Sequence, residues 1–265
     1  MLGDNFGQEC EALDPLVGSL GDADFARVTD FYGWTVRDEV MHLYFLDVLT
    51  LKAIEAEAEF LREVAEIRIW QKTAELSDYM RQRYAGLDRL ALVSAWRESY
   101  RRLSDVFAKS DPKARIKWFG PDMSIVAATS ARQMEVWAHG QDLYDLFGIN
   151  RTNTDRIKFI CELGVRTYGW TFRNRGLEAP GPAPKITLTA PSGAIWQWNA
   201  ESPDGSITGP AAAFAAVVTQ RRHVNDTALV LDGKAAREWM LLAQCFAGPP
   251  ADGPPPRGTV QITIS

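Results

Sequence analysis

Glu135-Val136-Trp137-Ala138-His139-Gly140-Gln141-Asp142 lies late in the segment Met123 to Phe147, where Ile125, Met134, Trp137, Leu143 and Leu146 recur on a helical period and Gly148 supplies a stop. On a helix, Glu135 and His139 are four residues apart and leave the same face one turn above the other. A carboxylate and an imidazole so placed can grip a cation whose remaining ligands come from elsewhere. The chain has two other histidines, His42 and His223. The same spacing also describes a surface ion pair or a hydrogen-bonded core histidine, so by itself it leaves those readings open.

Further amphipathic helices surround this one. Phe6, Cys10, Leu13, Leu16 and Val17 recur at three- and four-residue steps between Gly3 and Leu20, and the Gly18 to Gly21 region ends that helix. Thr35 followed by Asp38 is an N-cap signature for a long second helix, with Val36, Val40, Leu43 and Leu51 on its period. His42 falls on its second turn with Leu46 and Leu49 along its side, so it faces inward, whereas Glu55, Glu57 and Glu59 mark later, solvated turns. A shorter helix is expected from Ala74 to Tyr84, with Gly86 as a break. Leu92, Trp96, Tyr100, Leu103 and Phe107 define another from about Asp88 to Ala108, stopped ahead of Pro112. One more is expected over Asp155 to Arg173.

The Gly- and Pro-rich stretch Gly176 to Pro184 reads as a domain boundary, giving a helical bundle over residues 1–178 and a second domain over 185–265. Beyond it the period changes to two. Lys185 to Ala190 and Ile195 to Asn199 flank Pro191-Ser192-Gly193 as a hairpin would. A short helix opened by Pro210 covers Ala211 to Thr219, a strand Thr227 to Leu231, a last helix Lys234 to Phe246, and an edge strand Val260 to Ile264. The fold class is therefore mainly α, a four-helix bundle followed by a small α+β domain.

Composition narrows the function. Of 265 residues 46% are hydrophobic and 24% charged, an ordinary globular balance. The net charge of −5 offers no broad surface to a polyanion, so nucleic acid is not an expected partner. No segment approaches the roughly 18 apolar residues that span a bilayer, and Asp4 and Glu9 stand where a signal peptide would be basic and then apolar. A cytoplasmic protein without membrane partners is expected. Cys10, Cys161 and Cys245 are widely spaced, which indicates neither a disulfide framework nor a thiolate metal site. Thiol chemistry, if present, would use the thiol of another molecule.

Two motifs carry a resemblance. Trp34-Thr35-Val36-Arg37-Asp38-x-x-x-His42-Leu43 together with Arg132-x-x-Glu135-x-Trp137-x-His139-Gly140-x-Asp142-Leu143 resemble the signatures of the mycothiol-dependent maleylpyruvate isomerase family, within the DinB-like metal-binding bundles. The segments Arg221 to Thr227, Ala235 to Trp239 and Gly248 to Pro250 are similar to an uncharacterised metal-binding branch of that family. The resemblance implies His42, Glu135 and His139 as ligands of one divalent metal. Two imidazoles and a carboxylate suit zinc with a fourth position open, although iron or nickel accept the same set. It also implies a mycothiol-like thiol as cofactor and a sterol-carrier-like second domain. The family chemistry is addition of the thiolate to a conjugated electrophile, bond rotation and elimination; stopping after addition gives S-transfer.

By the same resemblance Arg221 and Arg222 are the candidates for a catalytic arginine that receives a substrate carboxylate. Asp38 and Asp142 are the expected outer partners of His42 and His139, with a plain capping role the competing reading for Asp38. Trp34 and Trp137 could wall a pocket, with core packing the favoured reading for both. The expected activity is that of a metal- and thiol-dependent isomerase or S-transferase acting on a small anionic electrophile. A zinc-water hydrolase and a non-enzymatic metal- or ligand-binding module remain the alternatives.

Overall fold

The computed structural model describes residues 3–257, and the expected strand Val260 to Ile264 lies outside the described residues. The chain divides into two compact units, 1–151 and 152–265.

The first unit is built on four long helices: α1 (Asp4–Ser19), α3 (Val36–Glu55), α6 (Arg89–Lys109) and α7 (Ile125–Leu146), with a single turn, α2 (Asp22–Phe25), between the first two. α1 packs on α6 and α7, and α3 packs on the same two helices. Their apolar stripes meet in one core that includes Phe6, Leu13, Val36, Val40, Leu43, Trp96, Tyr100 and Val136. The expected helix boundaries hold to within a residue or two at α1, α6 and α7 and at the start of α3. Three caps set the starts of α3, α6 and α7: Thr35, Asp88 and Ser124 each accept a hydrogen bond from the backbone N–H three residues on. Gly140 lets α7 approach α1, since a side chain there would stand 3.3 Å from both methyl carbons of Leu13.

After α3 the structure departs from expectation. The helix ends at Glu55, Ala56 leaves the helical region at φ −146° and ψ 57°, and a separate helix α4 (Glu57–Trp70) begins at once. Glu57 and Glu59 thus occupy a helix N-terminus, where carboxylates are favoured by the helix dipole. α5 (Leu76–Arg83) follows. A two-stranded ribbon, β1 (Arg115–Ile116) paired antiparallel with β2 (Met123–Ser124), leads into α7.

The second unit begins earlier than the Gly/Pro boundary at 176–184 suggests. α8 (Lys158–Arg166) and α9 (Tyr168–Asn174), preceded by a 3₁₀ turn at Asp155–Ile157 and interrupted at Thr167, replace the single expected helix. They belong to the core of this unit rather than to the bundle. Gly164 of α8 lies against Val218 and Phe214 of α10 (Ala211–Val218), and Tyr168 of α9 packs edge-on to Trp239 of α11 (Lys234–Leu242) at 5.1 Å. The sheet runs β4-β3-β5-β6, with β3 (Lys185–Thr189), β4 (Ile195–Trp198), β5 (Ser206–Pro210) and β6 (Val230–Asp232). The β3–β4 hairpin is as expected. β5, which pairs parallel with β3, was not, and β6 lies slightly later than the expected strand. Among the described residues no helix is long and apolar enough to cross a membrane.

Candidate metal centre

α3 and α7 bring His42, Glu135 and His139 together so that one ligand atom from each lies within 4.8 Å of the others. His42 Nε2 and His139 Nε2 both stand 3.1 Å from Glu135 Oε2. The imidazoles are buried, whereas the Glu135 side chain keeps 23% of its surface exposed. The cluster therefore opens on the carboxylate side. His223 sits in the second unit and its Nδ1 accepts the N–H of Asn225.

The electrostatics are those of a ligand set. Burial, then the neighbouring His139, depress His42 to about 4, so its imidazole is neutral at pH 7. Burial works against ionisation of Glu135, but hydrogen bonds to His139 and His42 outweigh it and hold the carboxyl well below its usual range. A neutral imidazole and a carboxylate are the protonation states that bind a cation.

A loop roofs the cluster. Val28 and Thr35 form a bridge, the Thr29 N–H donates to Trp34 O at 2.7 Å, and the turn passes through Tyr32 (φ 48°) and Gly33 (φ 70°) in the left-handed region, which glycine adopts without strain. This places Trp34 in a stack on His139, 5.7 Å between centroids at 12°, and against His42 at 5.3 Å. Phe31 meets His139 edge-on at 5.1 Å. Trp34, for which core packing is the favoured reading from sequence, is thus part of the site wall. Trp137 is core as expected, 1% exposed and under the Arg151 guanidinium at 4.9 Å.

Asp38 takes the capping role that was its competing reading, and Asp142 stands farther from His139 than Glu39 does. Asp38 closes a capping box, accepting the Thr35 N–H at 2.9 Å and the Thr35 hydroxyl at 2.7 Å, and takes Arg81 Nε and Nη2 at 2.9 and 3.0 Å. Its carboxylate is turned to that work, and His42 Nδ1 has no hydrogen-bond partner among the described residues. Asp142 stands 4.0 Å from His139 Nδ1, beyond hydrogen-bond reach, whereas Glu39 Oε2 stands at 2.6 Å. Glu39 escaped the motif reading. The available signal was its register: it follows Val36 by three and precedes Leu43 by four, placing a carboxylate on an apolar stripe.

One turn along the same helix pair, Arg132 of α7 donates Nε and Nη2 to Asp47 Oδ1 of α3 at 3.2 and 3.0 Å, and Nη2 to Leu43 O at 3.1 Å. In the second unit, Arg221 is buried and donates Nη1 to Thr219 O at 2.9 Å, while the less buried Arg222 donates Nη1 to Arg221 O at 2.6 Å.

Residues 6–144, just over half of the chain, match the family model described as the mycothiol maleylpyruvate isomerase N-terminal domain. The chain belongs to this family. Two of its relatives, the uncharacterized proteins MT0041 and Rv0036c of Mycobacterium tuberculosis (strains CDC 1551 / Oshkosh and ATCC 25618 / H37Rv), are each 34% identical over 245 residues, covering 92% of this chain and 95% of theirs. The crystal structure of the mycothiol-dependent maleylpyruvate isomerase superposes with a TM-score of 0.52 at 13% identity, over 83% of this chain and 88% of that one. That of its histidine-to-alanine mutant superposes at 0.51. The family fold, a DinB-like bundle followed by a mixed helical and sheet unit, is the fold described above.

Proposed function

We propose that this chain is a metal-dependent enzyme that uses a low-molecular-weight thiol such as mycothiol, as an isomerase or S-transferase, on a small anionic electrophile. The observation that carries the proposal is the meeting of His42 Nε2, His139 Nε2 and Glu135 Oε2 at 3.1 Å contacts. Two ligand atoms each about 2.0–2.2 Å from a tetrahedral zinc lie about 3.3 Å apart, so the donors fit such an ion with little movement. A divalent cation there would supply the positive charge that keeps a thiol deprotonated at neutral pH.

The remaining work falls to the chain's own side chains. Neutral His42 and ionised Glu135 would hold the cation together with His139, and the partly exposed Glu135 is the side on which the cluster is open. Trp34 and Phe31 cover the imidazoles and exclude water from them. No cysteine of the chain competes for the thiol role, because Cys10, Cys161 and Cys245 are all buried, and burial raises the Cys10 and Cys161 thiols well above their usual range. Arg222, the less buried of the arginine pair, is the better candidate to receive a substrate carboxylate.

The test is turnover of a conjugated anionic electrophile by the full chain loaded with Zn²⁺, with and without added mycothiol. Turnover that requires the thiol supports the proposal. Turnover indifferent to the thiol, or protein that holds no metal by elemental analysis, overturns it.

A further inference from the structure

We propose that Glu39 is the positioning residue of the metal centre: it holds His139 in the tautomer that presents Nε2 to the cation and brings a second negative charge to the site. The inference rests on the metal reading above and adds a residue outside the ligand set.

Two clusters share His139, one with His42 and Glu135 and the other with Glu39 and Asp142, and each has the composition of a metal site. Distance separates them. Glu39 Oε2 and His139 Nδ1 are 2.6 Å apart, too close for two ligands of one tetrahedral cation, which stand about 3.3 Å from each other. That separation is the length of a charge-assisted hydrogen bond. Glu135 Oε2 and His139 Nε2, at 3.1 Å, have the wider spacing that a cation needs. A proton therefore occupies the Glu39 side of the ring and the metal the Glu135 side.

Three further observations agree. Glu39 is fully buried at 0% exposure, and its other oxygen accepts the Thr29 hydroxyl at 2.8 Å. With Nδ1–H donated to Glu39, His139 Nε2 faces a Glu135 carboxylate oxygen at 3.1 Å, an arrangement that is attractive with a metal ion or a second proton between them. His42 Nδ1 has no such partner among the described residues, so the two imidazoles are unequal and the control is exerted on His139. A carboxylate on the far nitrogen raises the basicity of a ligating imidazole and fixes its orientation. The Thr29 N–H donates to Trp34 O at 2.7 Å while its hydroxyl goes to Glu39, so the same carboxylate ties the roof loop to the ligand beneath it.

The experiment measures Zn²⁺ affinity of the full chain by chelator competition and records the visible bands of the Co²⁺-substituted protein, for the parent, Glu39→Gln and Thr29→Val. Glu39→Gln keeps the shape and removes the charge. Its affinity is expected to fall about 10- to 100-fold and its Co²⁺ bands to shift. Thr29→Val, which leaves Glu39 in place, is expected to move both readouts the same way by a smaller amount, and it serves should the Gln variant not fold. If both variants bind Zn²⁺ within about twofold of the parent with unchanged Co²⁺ bands, the role assigned to Glu39 is overturned while the metal reading stands. A lowered unfolding midpoint of the metal-free variants with unchanged affinity overturns that role equally. A parent that takes up no Zn²⁺ overturns both.

Discussion

α3 and α7 are joined by two buried polar clusters one turn apart, and the two are built on opposite principles. Asp47 and Arg132 form a matched pair, one negative and one positive charge, both at most 2% exposed. The neighbouring cluster sets two carboxylates, Glu39 and Glu135, against at most one imidazolium, because His42 is held neutral at pH 7. The first balances its charge within the protein, although Arg132 Nη1 has no hydrogen-bond partner among the described residues. The second has the charge and the lone pairs of a cation site. Burial of charge alone therefore does not single out a candidate site in this bundle; the balance of charge within each cluster does.

The sharpest way to break the comparison is to unbalance the matched pair. Asp47→Asn keeps the volume and leaves the Arg132 guanidinium without its counter-charge, a loss offset in part because burial already favours a neutral side chain at Asp47, so the expected cost is about 1–3 kcal/mol of stability. Urea unfolding at pH 7 measures it. A loss below about 1 kcal/mol would mean that the pair is solvated or replaceable, and the contrast between the clusters would dissolve. The variant protein that remains folded is expected to hold metal with the parent's stoichiometry.

The mirror experiment removes a member of the unbalanced cluster. His139→Ala takes away one of the three proposed ligands, and a structural-site binding energy of ~10–16 kcal/mol spread over four positions puts the expected loss of Zn²⁺ affinity at about 100-fold or more. Metal-free stability should fall as well, since the buried Glu39 carboxylate loses the ring nitrogen that stands 2.6 Å from it. Unaltered uptake in chelator competition would exclude His139 from the centre.

The two clusters were unequally legible. The meeting of His42, Glu135 and His139 was open to expectation, because two are four apart on one helix, the third lies on a capped helix with an inward register, and the family resemblance named all three. Glu39 could not be assigned, because its partner is 100 residues away and only the packing of α3 on α7 brings them together. The same division runs through the fold. Caps at Thr35, Asp88 and Ser124 are local and set their helices. The break at Ala56 has neither glycine nor proline to announce it. β5 is held by parallel pairing with β3, a non-local partner. The unit boundary was misplaced for a related reason: Gly176 to Pro184 marks a loop, but α8 and α9 belong with the residues that bury them, Phe214, Val218 and Trp239, all later in the chain.

The smallest expected effect is on pH dependence, and it comes from one group in each cluster. Burial, only partly offset by Arg132, lifts Asp47 from its ordinary 3.8 to about 6. The folded chain then binds a proton there that the unfolded chain does not, so this group stabilises at low pH and its contribution is lost as pH rises through about 6. His42 runs the other way: depressed from 6.5 to about 4, it contributes stability above 6.5 that is lost as pH falls through about 4. Between pH 4 and 6.5 the two contributions oppose each other, and the metal-free parent should show a shallow dependence from this pair. Asp47→Asn removes one side of the balance. Its unfolding midpoint, measured with a chelator present, should fall more steeply than the parent's on acidification across that window. Parallel profiles for the two proteins would show that Asp47 titrates as an ordinary carboxylate, and that the matched pair is not the dry, closed cluster its geometry describes.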